Sequence, residues 1–263
     1  NMVVNELFID SATLRDNVVA IAKQLGYRPK SATSPTAYVS FTVNYTNPTT
    51  DTELILKKGS GFIASYDNNV YQYVVLDDVT AQVVNDVATF TDVAVNEGTQ
   101  LTNTFTVNTA LKGQRFILDN QNIDTNTIRV KVYPTGGSFS EPYLVADNIL
   151  GVDGNSKVFF LDEIEDERYE ILIGDGILGK KLENNARIEV SYLTTSGPES
   201  NGVKTFVFSG VLENPNGVSP TAFTTSITST TASAGGEEIE STQKIKYTAP
   251  KAYGTQDRAV TAQ

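Results

Sequence analysis

The chain has 263 residues, with 20 Lys and Arg against 31 Asp and Glu, giving a formal net charge of −11 and a pI near 4.5. It has no His, no Cys and no Trp, which excludes a Ser-His-Asp triad, a cysteine nucleophile and imidazole or thiolate metal ligation. So acidic a chain is a poor match for nucleic acid, whose affinity comes largely from Lys and Arg at phosphates, and no apolar run approaches the ~18 residues of a membrane span.

Thr, Val and Ile together supply 75 residues. Such β-branched side chains are stiff at χ1 and suit a pleated surface. The first predicted element is nonetheless a helix. In SATLRDNVVAIAKQLGY, Leu14, Val18, Ile21, Ala22 and Leu25 recur at helical spacing, with Asp10 or Ser11 as N-cap and Gly26 as the left-handed terminator. Pro29 blocks continuation. From Tyr38 the period changes to two: Val39, Phe41, Val43 and Tyr45 share one face. ELIL, a KKGSG turn, FIASY and VYQYVVL follow, with a two-residue Asn68-Asn69 turn predicted before the last. VATFTDVAV, EGT and LTNTFTVN continue the pattern.

A second β region runs through RFILDN, TIRVKVY, KVFFLDEIEDERYEILIGDG, RIEVSYL and KTFVFSG. After Asn214-Pro215-Asn216-Gly217 the composition turns Ser/Thr-rich, and ITSTTASAGG reads as an extended connector. Glu237, Glu238 and Glu240 precede Lys244 and Lys246, a charge order that complements a helix dipole, so a short helix is predicted between Gly236 and Pro250. The fold class is therefore mainly β (α+β): antiparallel β domains with an N-terminal helix and a short C-terminal helix. The predicted division is 1–30, a helical segment; 31–112, an antiparallel sandwich or partial barrel; 113–212, a second β domain carrying the GDG loop; and 213–263, a truncated segment of extended connector plus short helix.

Two strings invite a chemical reading. GDGILGKK, Gly174 to Lys181, satisfies both G-x-G-x-x-G and G-x-x-x-x-G-K. A phosphate site needs a helix opening at the loop, whereas here LENN and an alternating strand follow. Lys181 stands where a magnesium-binding Ser or Thr is required, and Asp175 would oppose phosphate. Gly174, Asp175, Gly176 and Gly179 are therefore read as a tight structural connection between YEILI and RIEVSYL. At least one of Gly174 and Gly176 should have positive φ, and Asp175 should cap local N–H groups. The run Asp162, Glu163, Glu165, Asp166, Glu167 suggests a hard cation, but it lacks the spacing of a calcium loop and reads as a solvated hairpin end. A glycosidase carboxylate pair has no sequence signal. No cofactor, metal or catalytic residue is assigned.

Four blocks in register resemble one family. They are ATLRDNVVAIAKQLGYRPKS, RFILDNQNIDTNTIRVKV, YEILIGDGILGKKLENNARIEVSYLTTSGPESNG and GGEEIESTQKIKYTAPKAYGTQDRAVT. In this order they resemble the baseplate-J-like family of contractile phage tails, and within it the wedge proteins of T-even-type phages. Ile173 stands where relatives often carry an aromatic residue. Relatives extend before the first helix and beyond an RAVT block like Arg258–Thr261, so the chain reads as the central part of a longer protein. The resemblance implies a non-enzymatic virion protein of the tail baseplate, assembled in the host cytoplasm. Its implied partners are a second copy and other wedge proteins, with no nucleic acid, membrane or small-molecule substrate. A carbohydrate-binding or adhesin-like β module is the alternative.

Overall fold

The computed structural model describes residues 6–146 and 149–255; the Arg258–Thr261 block lies outside them. The architecture is mainly β, with antiparallel sheets, an N-terminal helix and a C-terminal helix, as the composition and alternation predict.

The first sheet has nine strands. From the N-terminal half come β1 (Thr36–Tyr45), β2 (Glu53–Leu56), β3 (Gly61–Tyr66), β4 (Asn69–Val74), β5 (Val79–Val84) and β6 (Val87–Glu97). The long β6 pairs along its length with β1, and its other edge is shared by β4 at one end and β5 at the other. Alternation places Val39, Phe41, Val43, Phe62, Tyr73 and Phe90 in one buried cluster, where Phe41 stacks on Phe90 with ring centroids 4.6 Å apart. Such pairs add about 0.5–1.5 kcal/mol beyond area burial. The β3–β4 turn is one residue earlier than the sequence suggests. Tyr66 pairs with Asn69, and the left-handed residues are Asp67 and Asn68, at φ 47° and 64°. Asn85 and Asp86 make the equivalent turn between β5 and β6, at φ 52° and 63°. Both turns follow the type I′ rule that each central residue has positive φ.

Strand membership departs from chain order. β7 (Thr99–Thr106), grouped by sequence with the first region, does not fold back on β6; it pairs with β13 (Arg187–Thr194) in the second sheet. Gly98, at φ +134°, makes the crossing. A Cβ there would collide with the Thr194 carbonyl oxygen, so glycine is required by both torsion and proximity. Three later strands return to the first sheet: β14 (Val207–Phe208) on β3, β15 (Leu212–Glu213) on β2 and β16 (Phe223–Thr230) on β1. The segment predicted as connector thus contributes an edge strand.

The second sheet runs β7-β13-β9-β10-β11-β12-β8, with β8 at Phe116–Leu118, β9 at Ile123–Tyr133, β10 at Glu141–Val145, β11 at Val158–Glu163 and β12 at Tyr169–Ile173. One short contact, β10 with β11, is parallel. Leu118, Ile123, Val130, Phe159, Ile171, Ile188 and Tyr192 share its core.

α1 spans Arg15–Gln24 and buries Val18, Val19 and Ala22. α2 spans Thr242–Thr255 and presents Ile245 and Ala249 to the same cluster. α2 starts later than the acidic residues predicted for its first turn, and Pro250 lies inside it rather than ending it. The absent Pro N–H leaves the carbonyl one turn earlier without its helical donor.

Candidate functional site

The N-terminus of α1 is capped from outside the helix. Ser11 lies short of it, its hydroxyl donating to the Phe8 carbonyl at 3.4 Å, and the N-cap position is Leu14. Glu6 does the work expected of a cap: its carboxylate accepts from the Thr13 N–H at 2.9 Å, the Leu14 N–H at 3.3 Å and the Asn17 amide at 2.9 Å. Hydrogen bonds from Asn17 and Thr13 hold Glu6 down at about 2. An acceptor eight residues upstream carries no local sequence signature, which is why Ser11 was the readable candidate. At the other end Gly26 adopts φ +79°. Its N–H donates to Lys23 O and that of Tyr27 to Ala22 O, each at 2.9 Å, which is the two-bond Schellman termination.

The helix pair is tied to the β11–β12 hairpin through charge. Arg15 Nε donates to Glu163 Oε1 at 2.8 Å, a guanidinium NH donates to the Glu240 carbonyl, and Glu167 Oε1 stands 3.6 Å from Nε. Lys23 donates to the Glu163 carbonyl and approaches Asp162 at 3.7 Å. Glu240 is itself buried and accepts from Tyr27 Oη at 2.8 Å and from the Lys30 N–H at 3.0 Å. The acidic run is therefore split. Asp166 is exposed at a 3₁₀ turn (Glu165–Glu167), but Glu163 is 7% exposed and ion-paired, which corrects its reading as part of a solvated hairpin end. Burial pushes its carboxyl above the ordinary value, with Arg15 opposing the shift; burial also raises the neighbouring Tyr169 phenol. Glu163 Oε2 and one Arg15 nitrogen have no partner among the described residues. Among those residues no group of three or more Asp or Glu is placed to hold a metal ion.

The glycine loop follows β12 and does not form a hairpin with β13, because the two strands are separated in the sheet by β9, β10 and β11. Gly176 and Gly179 take φ +96° and +90°. Gly174 sits against the Gly179 backbone, where any Cβ would collide. Asp175 Oδ1 accepts the N–H groups of Ile177 at 2.8 Å and Leu178 at 3.0 Å, which lowers its pKa. The Gly176 N–H bonds Gly179 O at 3.0 Å, that of Gly179 bonds Asp153 O at 2.9 Å and that of Lys180 bonds Ser156 O at 2.8 Å. All amides from Gly176 to Lys180 are thus spent on protein oxygens. A phosphate cradle needs such amides free and converging. Lys180 itself pairs with Glu141 at 3.0 Å, and Lys157 joins from 3.1 Å. The loop's chemistry is to pin residues 153–156 against the strand crossing.

Two clefts flank these features. One, of about 440 Å³, lies between α1 and the second sheet and includes Lys23, Arg28, Lys30, Arg129, Asp162 and Tyr169 in its lining. Another, of about 570 Å³, lies where the two sheets meet and includes Glu97, Gly98 and Thr194. Buried Glu97 there accepts Thr195 Oγ1 at 2.7 Å and the Ser196 N–H at 3.1 Å, so its carboxylate is engaged in joining the sheets.

Compared with known proteins, the chain is 26% identical over 281 aligned positions to Baseplate wedge protein gp6 of Enterobacteria phage T4. The alignment covers 100% of this chain, and the chain spans 41% of that protein's length. No family model matches the chain.

Proposed function

We propose that the chain is a structural component of a contractile phage tail baseplate, part of a baseplate-J-like wedge protein. It takes part in assembling the baseplate ring and in transmitting the switch that triggers sheath contraction. The observation that carries the reading is the likeness to a baseplate wedge protein along the whole of this chain. Two structural features support it. The most enzyme-like motif, GDGILGKK, has its amides consumed internally. The four blocks that carry the resemblance supply α1, β8 and β9, β12 and β13, and α2, and α1 is tied to the second sheet at β11, the strand beside β12, through the Arg15–Glu163 pair. Force or displacement applied to the helix pair reaches that sheet through the hydrogen-bonded and ion-paired contacts of Arg15 and Lys23 with the end of β11.

In this reading the partners are a second copy and other wedge proteins. The protein resides in the virion baseplate after assembly in the host cytoplasm, and it performs no catalysis. A net charge of −11 disfavours self-association except through uncharged or basic surface. Co-expression with neighbouring tail proteins, followed by native mass spectrometry, tests the proposal: stable complexes of defined stoichiometry are expected. Binding to a polysaccharide with no binding to any tail protein would replace it with the adhesin reading.

A further inference from the structure

No Asp, Glu, Lys or Arg stands between Glu213 and Glu237, the longest uncharged run of this strongly acidic chain. The structure places β16 (Phe223–Thr230) inside that run as an edge strand: it pairs with β1 and with no other strand among the described residues. Proteins usually guard such edges with charge or proline. Here the sequence is FTTSITST, and its solvent-facing Thr224, Ser226 and Thr228 are exposed. Among the described residues its hydrogen-bonded cover lies at the far end, where Thr230 Oγ1 donates to the Lys204 carbonyl at 2.9 Å and Ser233 N–H to Val203 O at 2.9 Å.

The ladder fixes which backbone groups face outward. Thr46 N–H donates to Ala222 O at 3.0 Å, so the 46–222 pair is a hydrogen-bonded one. Alternation along an antiparallel ladder then turns the N–H and C=O of Thr224 and Ser226 toward β1, and those of Phe223, Thr225 and Ile227 away from it. These three residues point their side chains to the core face, where Phe223 and Ile227 pack half-buried against the first core.

We propose that this edge pairs with the same edge of a second copy, antiparallel about a two-fold axis at Thr225, continuing the first sheet across the contact. The strand is self-complementary about that residue. Phe223 meets the other copy's Ile227 on the core face, Thr225 meets its equivalent, and Thr224 meets Ser226 on the solvent face. The outward N–H and C=O groups of Phe223, Thr225 and Ile227 all find partners. Apolar and Thr–Ser cross-strand pairs are favourable neighbours, and an isologous contact closes without propagating. The absence of charge lets two copies of net charge −11 approach here without placing like charges opposite one another. So short a seam buries well under the ~800 Å² per partner of a standard stable interface, so the isolated dimer is weak and concentration-dependent. This inference rests on the self-pairing proposed above and names the surface that performs it.

The test is sedimentation velocity of the 263-residue chain from dilute to near-millimolar concentration, with amide hydrogen exchange at both ends of the range. The expected result is a dimer at high concentration and slowed exchange at Phe223, Thr225 and Ile227. Thr225→Pro removes an outward donor without breaking the β1 ladder and should abolish the dimer with circular dichroism unchanged. Ser226→Lys puts a positive charge on each side of the seam and should weaken the dimer at least tenfold, so it decides the matter if the proline variant misfolds. A chain that stays monomeric throughout, or a dimer that survives Ser226→Lys with unprotected edge amides, overturns the proposal. If that same chain still co-assembles with tail proteins, the edge pairing fails while the baseplate reading stands.

Discussion

Replacing Arg15 with Met should destabilise the protein sharply, and the reason lies in Glu163. Met keeps an unbranched aliphatic stem at the first position of α1 but removes the charge. In the native protein the Glu163 side chain is 4% exposed, and Arg15 is its cationic partner at 2.8 Å. Lys23 reaches only its backbone carbonyl, and Glu167 adds a like charge nearby. Removing one partner of a buried ion pair costs about 3–5 kcal/mol, because the other is left buried and uncompensated, whereas removing both is often close to neutral. At roughly 2–4 °C per kcal/mol for a chain of this size, Arg15→Met should lower Tm by about 6–20 °C. Arg15→Met/Glu163→Gln should recover most of that loss. The sign of the pH dependence follows from the raised pKa. Folded Glu163 binds its proton more tightly than the unfolded chain does, so its contribution to stability is fully present below the unfolded value of 4.5 and is lost as pH rises through the folded value. In Arg15→Met the folded value rises further, so the gap from wild type should narrow on acidification toward 4.5. Thermal denaturation of wild type, both single variants and the double variant at several pH values measures all of this. Additive single effects, or a loss below about 1 kcal/mol for Arg15→Met, would refute a desolvated pair at this junction.

Gly176→Val forces a β-branched residue to φ +96° and should cost about 1–3 kcal/mol, while Lys180→Ala breaks a partly exposed pair with Glu141 and should cost about 0.2–1 kcal/mol; a reversed order in thermal melts would make the loop a binding feature. Titration calorimetry with ATP, GTP or NAD, with or without magnesium, should give no saturable heat, since the loop amides are already bonded; a signal lost in Lys180→Ala would contradict this. Glu6, whose pKa is depressed from 4.5 to about 2, contributes its cap fully above 4.5 and loses it as pH falls through about 2. Amides at the start of α1 should exchange faster over that descent, and Glu6→Gln should show the faster rate already at neutral pH.

Local chemistry along the chain was enough to settle several elements. Period-two alternation set the buried faces of β1, β6 and β13, and the stop at Gly26 followed from one residue free to take positive φ. The glycine spacing after YEILI, with an acid between two glycines and no helix behind, identified a connection whose torsions and Asp175 bonds the structure displays. What the sequence could not assign was neighbours. Alternation tells a strand which side is buried but not which strand lies beside it, because pairing is decided by contacts far apart in sequence. Hence β7 leaves the sheet its chain order suggests, β16 returns from an apparent linker to close on β1, and Gly98 gains its meaning only from the Thr194 carbonyl it faces. The same limit applied to charge. Glu163 stands among four other acids and looks solvated in sequence; it is buried because α1, more than a hundred residues away, lays Arg15 across it.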